Sequence, residues 1–230
     1  KARLADRGDV GVLSIGFVSI ADYSVLPPTL KTFRAQYPRI EVELHELTTD
    51  AQIRELRAAR LDLGIGLGPV SEPDLEFESV LREALLLALP TGFPVGAADG
   101  AIDLRLLSKA SFIVPPREVA PGLYDLIISY CRSFGFTPRI TQEARQMQTV
   151  VGLVSAGMGI ALVPSSVRNL KRTGVQYRPL RGKAPLIESG ILRPGAAENA
   201  LTERFAQTLR DAAREQSSRR SRRLGPQQRM

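Results

Sequence analysis

Short apolar runs and amphipathic stretches take turns along almost the whole of this 230-residue chain, and that alternation limits its fold more than any other feature. "VLSIGFV" (12–18), "IEVELHEL" (40–47), "LDLGIGL" (61–67) and "REALLLALP" (82–90) read as strands. In the second of these, Ile40, Val42 and Leu44 alternate with Glu41, Glu43 and His45, so one face is expected inside and the other outside. Residues 23–37 place Leu26, Leu30, Phe33 and Tyr37 on one helical stripe. Pro27 and Pro28 fit only its first turn, where the missing N–H groups have no helical partner. After the second strand, Thr49 and Gln52 have capping-box spacing, and Ile53, Leu56 and Arg60 continue a helix.

The pattern then repeats. Strands are expected over 110–115, 138–144, 159–164, 174–180 and 186–192. Helices are expected over 121–136 (Leu123, Ile127, Tyr130 and Phe134 in line), 147–157 (Met147, Val150, Val151 and Val154 on one face) and 198–216. Strands separated by helices of roughly ten to fifteen residues imply βαβ crossovers and mostly parallel sheets, an α/β protein. Two such runs, with a strand and a helix left over, imply two similar halves. Glycine-rich "TGFPVGAADG" (91–100) reads as one crossover between them and "RGKAPLIES" (181–189) as the return. Two crossovers make a hinge with a cleft, and in parallel sheets ligands bind beyond the carboxyl ends of the strands.

"SAGMGIALVP" (155–164) fits this plan. Gly157 suits a left-handed residue ending a helix, and Gly159 a tight turn into the next strand.

Catalytic chemistry finds little support. His45, the only histidine, lies on the polar face of an alternating strand, with no motif beside it for a nucleophile. Cys131, the only cysteine, sits in an amphipathic helix, excludes an intrachain disulfide and reads as packed. With one His and one Cys, zinc would depend almost entirely on carboxylates. Gly64, Gly66 and Gly68 follow a strand but run into "PVSEPD", which cannot open the helix a dinucleotide fingerprint needs. No metal or other cofactor is expected. No apolar stretch is long enough to span a membrane, and "KARLADRGDVG" does not read as a signal peptide, so a cytoplasmic protein is expected.

The net charge is +7, but the last fourteen residues hold five arginines and no acid, which leaves +2 for the rest. The basic character belongs mainly to a tail over 217–230, expected to be disordered.

The remaining candidates are strand-to-helix corners with small polar residues: Ser19 and Ser24, Thr48 and Thr49, the segment 117–125, and 145–149. Such corners aim unpaired backbone N–H groups and helix dipoles at one place, which favours an anion such as a carboxylate.

With these residues in view, the chain resembles the effector-binding domain of LysR-type transcriptional regulators. "VVGLVSAGMGIALVP" matches a segment that recurs in that family. "GFVSIADYSVLPPTLKTFRAQYPRIEVELHE", "LRAARLDLGIG" and "LLLALP" follow in the family's order and spacing. The resemblance covers about residues 10–215. It implies two Rossmann-like subdomains joined by two crossover strands, as in periplasmic binding proteins. Subdomain I would take 10–90 plus 187–216, and subdomain II 91–186. Residues 1–9 would end a linker helix whose winged helix-turn-helix lies outside this chain. The family also implies a small effector, pairing into dimers, and tetramers for the full-length proteins.

Carried over from regulators of aromatic-compound breakdown, the effector contacts fall at Ser19, Ile20, Thr49, Leu67, Pro121, Gly122, Leu123 and Gln148. Relatives that sense muconates have an arginine where this chain has Leu67, which points to an apolar, aromatic monoacid rather than a dicarboxylate. Two other classes stay open from sequence. One is a solute-binding protein of a transport system. The other is an enzyme on the same scaffold, disfavoured by the lack of an acid/base pair.

Overall fold

The computed structural model describes residues 10–95, 100–195 and 200–223, the last five by their backbone alone. The expected linker-helix end at 1–9 and the end of the tail at 224–230 lie outside the described residues. In chain order the elements are β1 (Gly11–Phe17), α1 (Ser19–Asp22), α2 (Leu26–Gln36), β2 (Ile40–Glu46), α3 (Thr49–Arg57), β3 (Leu63–Gly68) and β4 (Leu75–Pro90). They continue with β5 (Ser111–Val114), α4 (Pro121–Ser133), β6 (Arg139–Glu143), α5 (Met147–Ser155), β7 (Ala161–Pro164), β8 (Val175–Arg178), β9 (Leu186–Pro194) and α6 (Ala200–Arg223). Short 3-10 helices cover Leu104–Leu107 and Ser165–Leu170.

The chain divides into two compact units, one of residues 1–81 and 188–230, the other of 82–187. It passes from the first to the second within β4, upstream of the glycine-rich segment, and returns within β9.

In the first unit, β1 pairs in parallel with β2, from Gly11 opposite Ile40 to Phe17 opposite Glu46. On its other side β1 pairs in parallel with β3, Ile15 opposite Leu63. β9 adds antiparallel to β3, with Ile65 opposite Ile191 and Leu67 opposite Ser189. The sheet is therefore mixed rather than purely parallel. Leu13, Ile15 and Ile65 are fully buried, as are Phe33 of α2 and Phe205 of α6, whose rings meet edge-on at 5.1 Å. Each such aromatic contributes roughly 1.5–3 kcal/mol by burial.

The prolines of α2 do occupy its first turn. Its buried face is Leu26, Thr29 and Phe33, not the all-apolar stripe. Thr29 can be buried because its hydroxyl donates to the Val25 carbonyl at 2.6 Å. In β2, Ile40 is buried but Leu44 is 41 % exposed, since β2 ends the strand order and has a neighbour on one side only.

The glycines of β3, and Gly16 of the neighbouring β1, have a steric explanation. A Cβ on Gly16 would stand 2.9 Å from Gln52 Cγ, and one on Gly66 would stand 2.6 Å from Leu192 Cδ1. A Cβ on Gly64 would strike Gln52 Oε1, and one on Gly68 the Phe77 ring. These glycines let α3 and Phe77 lie directly on the sheet.

In the second unit, β5 pairs in parallel with β6. Ile160, just before β7, bridges to Phe112 of β5. β4 then pairs antiparallel with both β7 and β8, Leu87 facing Leu162 and Arg178 respectively. α5 buries Met147, Val150, Val151 and Val154, the four residues its pattern marks. α4 buries Leu123, Ile127 and Cys131, so the cysteine replaces Tyr130 on the inner face. Burial pushes the Cys131 thiol up to about 12.

Gly157 ends α5 with φ +74, the left-handed conformation expected of it. Gly159 serves a different purpose. A Cβ there would stand 2.6 Å from the Ser111 carbonyl oxygen of β5, so it permits close approach rather than a turn.

The tail differs from expectation where it is described: α6 continues as a helix through Arg223. Among its residues whose side chains are described, the buried ones end at Ala213, after Leu201, Phe205, Ala206 and Leu209.

Candidate ligand-binding site

The first-unit candidates gather at the carboxyl ends of β1 and β3. β1 stops at Phe17, and the Val18 amide donates to the Ile65 carbonyl at 3.0 Å, which swings the chain into α1. The first helical bond of α1 is Ala21 N–H to Val18 C=O at 2.9 Å, so the Ser19 and Ile20 amides precede it. Ile20 itself is 3 % exposed, so its side chain belongs to the core. Ser24 is likewise turned inward, its hydroxyl donating to the Ile20 carbonyl at 3.0 Å.

Because β1 has ended, the Leu67 amide lacks a strand partner on that side. Thr49 takes its place: the Leu67 N–H donates to Thr49 Oγ1 at 3.0 Å. A hydroxyl that accepts one hydrogen bond keeps its own proton to donate. Thr49 is therefore both a structural acceptor and an available donor at the start of α3.

The capping-box expectation is not met. The N-cap of α3 is Thr48, and it makes no side-chain cap bond. Gln52 is fully buried, and its amide donates to the Leu47 carbonyl at 2.9 Å and the Ile65 carbonyl at 3.2 Å. It ties the helix to β3 and to the turn after β2. Burial outweighs helix capping here, because the adjacent glycines leave room for this one side chain.

Asp50 stands beside Thr49. Partial burial raises its pKa, but hydrogen bonds from Thr48 and Arg54 outweigh that and hold it below the usual value. Arg54 Nη1 lies 2.8 Å from its carboxylate. The negative charge at this helix start thus carries its own cation. Leu67 is half-buried, and Ser19, Ile20, Thr49 and Leu67 supply no cation of their own.

The other candidates lie in the second unit. Pro121 and Gly122 are exposed at the first turn of α4, whose first helical bond is Tyr124 N–H to Ala120 C=O at 2.9 Å. The Gly122 and Leu123 amides precede that bond, while the Leu123 side chain is 1 % exposed and packs inward. Gln148 is exposed in the first turn of α5.

Two polar features of the structure escape a reading of the sequence. Gln52 is one. The other is Glu83, 1 % exposed within the apolar strand β4. Its carboxylate accepts from Ser166 N at 2.8 Å and from the Ser165 and Ser166 hydroxyls, both at 3.1 Å. The signal in "REALLLALP" is one of register: Glu83 falls on the same alternating face as Leu81, Leu85 and Leu87, although its charge alone would place it outside. Among the described residues no three His, Cys, Asp or Glu side chains come together as metal ligands do. No helix among them is long and apolar enough to cross a membrane.

Comparison with known proteins bears on this geometry. The chain is 39% identical over 194 residues to the HTH-type transcriptional regulator IlvR of Caulobacter vibrioides, covering 83% of this chain and 64% of that protein. It is 37% identical over 179 residues to the HTH-type transcriptional regulator AlsR of Bacillus subtilis, covering 78% of this chain and 59% of that protein. The chain thus spans about three fifths of the length of these curated relatives. The effector-binding domain of BenM, solved with its effector benzoate, superposes with a TM-score of 0.80 at 25% identity, over 90% of this chain and 93% of that one. Residues 6–214 match the family described as LysR substrate binding domain, and the chain belongs to that family.

Proposed function

We propose that this chain binds a small organic acid at the rim formed by the ends of β1 and β3, as the effector-sensing part of a longer transcriptional regulator. The observation that carries the reading is Thr49: its oxygen is held by the Leu67 amide, which leaves its O–H to donate to a carboxylate. The Ser19 and Ile20 amides at the start of α1 are the companion donors. In the second unit, the exposed first turn of α4 at Pro121 and Gly122, the Leu123 amide and Gln148 of α5 are the further candidates. The effector reading draws support from the benzoate-bound domain this fold is similar to. The relatives' description as HTH-type transcriptional regulators favours regulation over solute transport.

Leu67 narrows the effector class. An apolar side chain beside Thr49 suits an aromatic or otherwise apolar monoacid, whereas a second carboxylate would need a cation there. Promoter DNA, in this reading, is contacted by a helix-turn-helix segment of the longer protein. The chain also pairs with itself. β2 is an edge strand with Leu44 exposed, and an open groove beside it runs along Leu30, Arg34 and Tyr37 of the α2 side. An exposed edge with apolar residues favours association with a second copy.

Leu67→Arg tests the effector class. Titration calorimetry should show its preference move from benzoate toward a dicarboxylate such as muconate. An unchanged preference in a folded variant would remove Leu67 from the site.

A further inference from the structure

Ser189 of β9 is fully buried, and its hydroxyl oxygen has no hydrogen-bond partner. Hydroxyls buried elsewhere in the chain are satisfied: Thr29 donates to the Val25 carbonyl and Ser165 to the Glu83 carboxylate. A hydroxyl withdrawn from water without a partner is unfavourable, so its presence in β9 calls for a reason. Its place in the sheet supplies one. Ser189 stands opposite Leu67 of β3 in an antiparallel pair, so the two side chains lie side by side on one face. On the other face, Gly66 is covered by Thr49 and Leu192, and Gly190 by Phe77. Leu67 is only half-buried. The Ser189 hydroxyl is thus held next to the apolar side chain on which the proposed acid rests.

We propose that Ser189 selects an aromatic monoacid that carries a hydroxyl at the end of its ring away from the carboxylate. The proposal rests on the acid-binding rim described above and narrows its effector class. Strand order carries it. β1, β3 and β9 are neighbours in the sheet, in that order. Thr49 takes over from β1 on one flank of Leu67, and Ser189 stands on the other. Strands lie about 4.8 Å apart, so two spacings, roughly 9.5 Å, separate the flanks. One aromatic ring with oxygen at opposite ends, and a hydrogen bond beyond each, spans that length. The carboxylate accepts from Thr49, the ring covers Leu67, and the far hydroxyl meets Ser189. A serine hydroxyl both donates and accepts, so it pairs with a phenol in either direction. A carboxylate at the far end would be a buried charge without a cation, a cost that a neutral hydroxyl does not carry.

The test is titration calorimetry of the 230-residue chain with benzoate, meta-hydroxybenzoate and para-hydroxybenzoate. The parent is expected to bind the para acid about fivefold to tenfold more tightly than benzoate, the effect of one hydrogen bond to a group otherwise unpaired. The meta acid should show no such gain. In Ser189→Ala the para preference should fall below about twofold, with the affinity for benzoate kept. The thermal midpoint of that variant should equal or exceed the parent's, because only an unpaired hydroxyl is removed. The parent series with the three acids tests the proposal independently of any variant. Equal affinity of the parent for benzoate and the para acid would overturn it, as would an equal gain with the meta acid. A para preference that survives in Ser189→Ala would do the same. Benzoate binding without a preference would overturn this proposal alone, whereas binding of none of the three acids would overturn the acid-binding reading with it.

Discussion

The Thr49 hydroxyl accepts the Leu67 amide at 3.0 Å, and so does at the end of β3 what β1 does for the residues before it. One side chain thereby completes the sheet and places a donor at the start of α3. Thr49→Val keeps the shape and removes the hydroxyl, leaving a half-buried N–H without a partner. The expected cost is about 1–2 kcal/mol, read from urea denaturation. An unaltered midpoint would mean that water serves the Leu67 amide equally well.

Gly157 and Gly159 separate two reasons for a glycine. Nothing lies within 4 Å of a Cβ on Gly157, and its φ of +74 is the sole obstacle to a side chain. Gly157→Asn should cost little, because Asn tolerates the left-handed region, and Gly157→Ala about 1–2 kcal/mol. Gly159→Ala meets the Ser111 carbonyl of β5 and should cost about 1–3 kcal/mol, with Asn no better than Ala. Thermal unfolding of the four variants would show the crossing pattern; equal costs for Asn at both positions would refute it.

Glu83 holds three donors from Ser165 and Ser166 in the interior of the second unit. Glu83→Ala leaves these donors unsatisfied and a cavity behind, an expected loss of about 2–4 kcal/mol. Chemical denaturation checks it. A loss under about 0.5 kcal/mol would show that the cluster contributes no more than a surface position does.

Asp74 gives the pH dependence a sign. The Arg57 guanidinium hydrogen-bonds its carboxylate at 2.8 and 2.7 Å and holds the pKa down at about 2, against an ordinary 3.8. A group depressed on folding stabilises fully above its unfolded pKa, and that contribution disappears as the pH falls through the folded value. The wild type should thus exceed Asp74→Asn in stability at neutral pH, and the difference should shrink from about pH 4 toward pH 2. Both carboxylate and guanidinium are exposed, so the difference should be small and weaker in high salt. A difference that grows on acidification would contradict the assignment.

The alternation of strand and helix was legible because burial imposes it: one face of each element must be apolar, and the periods differ. The same holds for α5, where all four patterned residues are inside. Legibility fails where polar residues are buried. Thr29, Gln52 and Glu83 are polar, and each is inside because a specific hydrogen bond replaces water. The glycines of β3 could be excluded as a nucleotide loop, but their real purpose depends on Gln52, Leu192 and Phe77, which reach them from three other elements. At the proposed site, residue numbers carried over from a family do not tell side chain from backbone. Ile20 and Leu123 turn their side chains inward, so neither side chain is open to a ligand.

The measurement closest to the central claim is thermal unfolding of this chain, and of Thr49→Val, with and without benzoate. At about a hundred times its dissociation constant a ligand adds about 2.7 kcal/mol. For a protein of this size that raises the midpoint by roughly 5–10 °C. The account predicts such a rise in the wild type and one smaller by at least half in Thr49→Val. A rise of equal size in both would contradict the role of Thr49, and no rise with benzoate or any other apolar monoacid would contradict the effector class itself.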